Sequence, residues 1–151
     1  MIERILIICD GNVCRSPMAG AMLASALPSA AVQCAGLAAL AGRPAAQAAI
    51  EVMRVRGFDI GSHIAQPVHL GHVRASQLIL AMTVAQCREV ERRYPFSRGR
   101  VFLLDQIDKL DVVDPVGKSS AVFEAVANHI ERVVAYWATR VKAAGKQGAR
   151  A

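Results

Sequence analysis

The sequence predicts an α/β domain of three layers: a central four-stranded parallel sheet with helices on both faces. Short, nearly continuous apolar runs recur along the chain, as in strands covered on both faces. Segments with helical start and stop signals lie between them, so strands and helices alternate. The 151 residues, 54% hydrophobic and 20% charged, suit one globular domain rather than a disordered chain. At this length roughly two thirds of the unfolded surface is buried on folding, enough to do without staples.

The elements follow in order. RILIIC, Arg4 to Cys9, reads as a strand buried on both faces. Ser16 then Pro17 read as N-cap and first helical residue, with the alanine-rich stretch continuing the helix to about Leu27. Ala30 to Gly36 is a weaker second strand, and Pro44 to Gly57 carries helix start and stop signals. Gln77 to Met82 is a third buried strand. Thr83 with Gln86 forms a capping box for a helix ending before Pro95. RVFLLD, Arg100 to Asp105, is the fourth strand. From about Ser119, Val122, Val126, Ile130, Val133, Trp137 and Val141 recur at helical spacing and predict a long helix packed on the core. Residues 1–145 are expected to form the single domain and 146–151 a flexible basic tail.

Several classes are excluded. No apolar run approaches the roughly 20 residues of a membrane span, and Met1 to Arg4 leading straight into a strand is no secretion signal. The expectation is a soluble, cytoplasmic, monomeric protein, with Cys9, Cys14, Cys34 and Cys87 as reduced thiols. The net charge of +6 does not indicate nucleic acid. Part of it sits in Arg140, Lys142, Lys146 and Arg150, and no basic stripe interleaved with aromatics appears.

The chemistry gathers where the first strand ends. A loop leaving a strand and entering a helix N-terminus aims successive backbone N–H groups at one spot, making an anion cradle. Gly11 and Asn12 suit the left-handed backbone that a cradle requires. A cysteine at its base, Cys9, is expected to be a stabilised thiolate. Arg15 offers a planar fork to two oxyanion oxygens, and Ser16 a hydroxyl to the sulfur. Cys9 to Ser16 thus reads as a site for a phosphate-sized dianion with a nucleophile in its floor.

CDGNVCRSP resembles the signature loop of the low-molecular-weight protein tyrosine phosphatases. CAGLAALAG, SHIAQPV and VVDPVGKSSAVFEAV resemble segments of its bacterial, exopolysaccharide-associated members, so the likeness covers nearly the whole chain. It implies that family's fold and the hydrolysis of phosphotyrosine through a phosphocysteine. Cys9 would be the nucleophile and Arg15 the phosphate holder. Asp114 would be the general acid and base, chosen over Asp105, Asp108 and Asp111 because it precedes Pro115, which stiffens its loop. The amides of Asp10, Gly11, Asn12, Val13, Cys14 and Arg15 would bind substrate, with Ser16 beside them and Leu40 as an apolar wall. Asn12, Ser16, His63 and Pro115 would support the loop. No metal or cofactor is implied. The implied partner is a phosphotyrosine protein, such as a bacterial tyrosine kinase controlling polysaccharide export. Cys14 would capture oxidised Cys9 as a disulfide.

Four positions depart from the family's pattern. Val116 replaces an aromatic of the substrate slot, Cys34 a serine bonded to the loop asparagine, and Gln66 an arginine near the histidine loop. Asp10 is acidic directly after the nucleophile and should oppose a dianion unless its side chain points to solvent. His69, His72 and His129 are expected to be solvated. VGKSS is no nucleotide loop, because Val112 stands where its first glycine belongs. The competing functions are a thioredoxin-coupled arsenate reductase, whose cysteine relay is broken with Cys87 alone after the third strand, and a weakly active phosphate-binding regulatory module.

Overall fold

A computed structural model describes residues 1–149. Four parallel strands, β1 (Arg4–Cys9), β2 (Ala31–Gly36), β3 (Leu78–Ala81) and β4 (Val101–Leu103), form one sheet in the order β2-β1-β3-β4. The helices are α1 (Arg15–Ala26), α2 (Gln47–Val55), α3 (Leu70–Ala75), α4 (Val84–Arg93) and α5 (Ser120–Ala149). The predicted α/β sandwich is therefore present. Alternation along β1 divides the core. Ile5, Ile7 and Cys9 face α1, α2 and α5, while Leu6 and Ile8 face Val73 of α3 and Val90 of α4. Each fully buried isoleucine or leucine contributes about 1.5–3 kcal/mol of transfer free energy. This is why β1 is apolar on both faces.

Two helix starts differ from expectation. α1 begins at Arg15 with Cys14 as N-cap and no side-chain cap bond. The Ser16 hydroxyl is drawn inward to Cys9 and Asn12 instead, which a capping geometry would not allow. α2 starts only at Gln47, because Pro44 is taken up in an antiparallel bridge with Ile64. α5 runs through Ala149, past the point where a flexible tail was expected, and residues 150–151 lie outside the described ones. Among the described residues no helix is long and apolar enough to cross a membrane.

All three histidines expected in solvent make structural contacts. His72 is buried, and its Nδ1 accepts from the His69 amide at 3.2 Å while His69 Nδ1 accepts from the His72 amide at 3.3 Å. The rings stack with centroids 3.7 Å apart, so two histidines perform the reciprocal capping usually done by Ser/Thr and Glu. His129 of α5 donates through Nε2 to Asp105 Oδ2 at 2.7 Å. Asp105 is wholly buried at the end of β4, and its other oxygen takes the amides of Ile107 and Asp108. The bonds from His129 and these amides outweigh burial and hold its carboxyl below the usual range, so it pins the start of the β4–α5 connection onto α5.

The histidine cap makes α3 sensitive to acid. Burial, with the neighbouring His69, depresses the His72 pKa, so the neutral ring is the folded form. A depressed histidine contributes stability that is complete above its unfolded value, about 6.5, and is lost as pH falls below it. Hydrogen exchange of the 70–76 amides, referenced to β1, should be several-fold faster at pH 5.5 than at 7.5 after correction for intrinsic rates.

Candidate active site

The sheet order reverses direction at β1, and the loop from Cys9 to Arg15 leaves its carboxyl end there, the usual ligand position in an open α/β sheet. Asn12 adopts a left-handed backbone (φ 57°) and is wholly buried. Its Oδ1 accepts the Gln66 amide at 3.0 Å, and its Nδ2 donates to Ser16 Oγ at 2.8 Å. Its own carbonyl accepts from His63 Nε2 at 2.7 Å, which fixes the proton on that ring nitrogen. The Val13 carbonyl takes the Ala46 amide. The loop is thus held on all sides.

Cys9 lies at the base of this loop, 2% exposed. Ser16 Oγ sits 2.8 Å from its sulfur, and the Asn12 amide donates to it at 3.2 Å. Since Ser16 already accepts from Asn12, its own proton is free for the sulfur. Burial nevertheless pushes the Cys9 thiol above its ordinary range, against the bonds from Ser16 and Asn12 and the charge of Arg15. Cys14, also buried, is pushed up to about 12 by burial and by the neighbouring Asp114 and Cys9.

Arg15 is 4% exposed. Its Nη1 donates to the Val112 carbonyl at 3.0 Å, and the Val112 amide donates to the Met82 carbonyl just past β3. The segment approaching Asp114 is therefore clamped between the sheet and the arginine. Asp114 Oδ1 accepts the Val116 amide, and Oδ2 lies 3.7 Å from Arg15 Nη2. The rival carboxylates are engaged elsewhere: Asp105 with His129, Asp108 with Arg132, and Asp111 with the Val84 amide. Pro115 is buried beside Asp114.

A pocket of about 220 Å³ is lined by Cys9, Gly11, Asn12, Val13, Cys14, Arg15, Asp114 and Val116. Ser16 lies beneath it, and Asp10 reaches Arg15 with its side chain. Leu40, expected as a wall, is 58% exposed and does not line this pocket. The turn through Leu40 to Arg43 and Gly42 (φ 87°) carries it into solvent, and Val13 and Val116 supply the apolar walls instead. Cys34 lies beside Asn12 and Ser16 with its thiol pushed up to about 11, chiefly by burial. Asn12 is satisfied without it. Gln66, opaque in the sequence, joins the parts: its amide holds Asn12 and its side chain donates to the Cys34 carbonyl. The Gln66 amide and the Val112 carbonyl were missed because backbone groups carry no residue signal.

A doubly wound sheet with a cysteine in a loop cradle, a buried arginine and an aspartate at the mouth defines the class of cysteine-dependent phosphatases. The family model "Low molecular weight phosphotyrosine protein phosphatase" matches residues 4–147. The probable low molecular weight protein-tyrosine-phosphatase EpsP of Ralstonia solanacearum is 44% identical over 145 residues, covering 96% of this chain and all of that protein. The tyrosine phosphatase Wzb from Escherichia coli K30, solved with sulphate, superposes with a TM-score of 0.90 at 30% identity, over 93% of this chain and 99% of that one. YwlE arginine phosphatase from Geobacillus stearothermophilus superposes at 0.91 and 30% identity over 96% of each chain. The chain belongs to the low molecular weight phosphotyrosine protein phosphatase family.

Gly36 gives a test of the loop's tolerance. A Cβ there would stand 2.4 Å from the Asp10 carbonyl and 2.8 Å from Ala39 Cβ, both closer than atoms approach. Gly36→Ala should cost about 1–3 kcal/mol in urea unfolding. By displacing Asp10 and Cys9 it should also weaken phosphate binding, measured by calorimetry, by about tenfold or more.

Proposed function

We propose that this chain hydrolyses phosphotyrosine in protein substrates through a phosphocysteine on Cys9. The observation that supports it best is the convergence of the Cys9 sulfur, the Arg15 guanidinium and the Asp114 carboxyl on one pocket of phosphoryl size. The phosphoryl oxygens sit among the loop amides and Arg15, whose donors stabilise the charge as it spreads over the equatorial oxygens. The approaching phosphoryl group is held by this cradle while Cys9 attacks phosphorus as thiolate. Ser16, the Asn12 amide and Arg15 are the groups that favour that charged form. The P–O bond to the tyrosine breaks as Asp114 delivers its proton to the phenolate oxygen. Asp114, now a carboxylate, takes a proton from water. The hydroxyl adds to phosphorus, the S–P bond breaks, and inorganic phosphate leaves with the thiolate restored. The cradle and arginine balance the phosphoryl charge, so the scheme calls on no metal.

Val13 and Val116 supply apolar surface for the substrate ring. Asn12, Ser16 and His63 act as positioning residues through the loop. A bacterial tyrosine kinase controlling polysaccharide export is the physiological substrate that the family resemblance supplies, and a cytoplasmic location and monomeric state accompany it. Cys14, which lines the same pocket as Cys9, receives oxidised Cys9 as a disulfide. Peroxide oxidises the Cys9 thiolate to a sulfenic acid, and the Cys14 thiol then attacks that sulfur, forming the S–S bond and releasing water.

Steady-state turnover of p-nitrophenyl phosphate and of phosphotyrosine and phosphoarginine peptides tests the assignment. Cys9→Ser should abolish turnover of the first two, with the phosphoarginine peptide the poorer substrate of wild type. Asp114→Asn should slow the phosphotyrosine peptide by about 100-fold or more and the activated aryl ester much less, since a good leaving group needs little protonation. Equal losses on both would remove Asp114 from the acid role. After brief peroxide treatment, dithiothreitol should restore wild type but not Cys14→Ser. Equal recovery would remove Cys14 from the redox role.

A further inference from the structure

The Arg15 guanidinium is bound asymmetrically. Nη1 is committed to the Val112 carbonyl at 3.0 Å, which leaves Nη2 as the terminal nitrogen turned toward the pocket mouth. Two carboxylates meet it there: Asp10 Oδ2 at 3.4 Å and Asp114 Oδ2 at 3.7 Å. They are not equivalent. Asp114 is tethered through Oδ1 to the Val116 amide, whereas the Asp10 carboxylate makes no other hydrogen bond among the described residues. Asp10 is 58% exposed, yet its backbone is fixed, with its carbonyl accepting the Ala38 amide at 2.9 Å over the Cβ-free Gly36. Only its side chain can swing. The sequence raised a like-charge conflict at this position unless the side chain turned to solvent. Instead the carboxylate is turned onto the arginine.

We propose that Asp10 sets the affinity of the site by acting as a built-in competitor for the phosphoryl group. Its carboxylate engages Arg15 Nη2 in the empty enzyme and is displaced into solvent when a phosphomonoester dianion enters. This rests on the phosphatase reading above and deepens it. An anion reaching Nη2 must replace a carboxylate already there and then tolerate its charge close by. An anion that brings only its own charge, such as the product phosphate, is therefore held weakly. A substrate that also gains from its ring against Val13 and Val116 overcomes the competition. The device trades affinity for ready release of product.

The contact is exposed on one side, so its effect is modest and screened by salt. The test uses the full chain with Asp10→Asn, nearly isosteric, and Asp10→Ser as a second variant. Binding of inorganic phosphate is measured directly by calorimetry, and KM and kcat with p-nitrophenyl phosphate. In both variants the phosphate Kd and the KM should fall about three- to tenfold, with kcat no higher. The gain should shrink in about 0.5 M sodium chloride. Unchanged or weaker phosphate binding in two folded variants overturns the proposal, as does a gain that salt leaves untouched. The calorimetric arm does not depend on turnover. A wild type that binds phosphate but turns over no aryl phosphate would sink the phosphatase reading while leaving this one to be decided by the Kd values.

Discussion

The site depends on one residue holding a left-handed backbone. Asn12 turns the chain so that the loop curls around the Cys9 sulfur, a conformation with a steric cost for any residue bearing a side chain. It is held by four bonds: its amide to Cys9, its Nδ2 to Ser16, its Oδ1 from Gln66 and its carbonyl from His63. Asparagine suits the place because one planar amide both donates and accepts, so a buried polar group is left satisfied. Ser16 then passes the constraint on to the sulfur. The price of ordering this loop is met outside it, by the 60–68 segment and the sheet.

A second coupling spans 97 residues of chain. Arg15 Nη1 holds the Val112 carbonyl, which links the cradle to the loop bearing Asp114. Asp105 and His129 secure the same connection at its start, and the Asp114–Val116 turn secures the carboxylate itself. Two loops far apart in the chain are thereby tied to each other. A phosphoryl transfer with little covalent work for the protein depends on that kind of positioning.

Much of this was legible in the residues. Cys9, Arg15 and the strands around them announce themselves by type and pattern, because an anion site with a nucleophile at a strand end needs those side chains, while Asp114 came from the family resemblance. The length of β1, the capping box at Thr83 and the apolar face of α5 were equally plain. α3 was not foreseen, since a cap built from two histidines matches no common signal. Ser16 is not the helix cap that local sequence favours, but its hydroxyl meets the Cys9 sulfur as its place in the cradle implied, and Asn12 binds it as well. Leu40 was placed at the pocket by resemblance, but a turn at Gly42 carries it away.

The sequence by itself determined the fold class, the family and the identity of the three groups that meet at the pocket. The fold class and the Cys9–Arg15 cradle follow from side-chain chemistry and from periodicities that neighbouring residues impose on one another; the family and Asp114 follow from the motifs that resemble it. Only the tertiary structure decided the burial of Cys9 and its bonds, the partner of Asp10 and the bonds from Gln66 and Val112. The reason is physical. Burial, the direction of a swinging carboxylate and the reach of a backbone carbonyl are set by what lies across space, and no local pattern of residues records it.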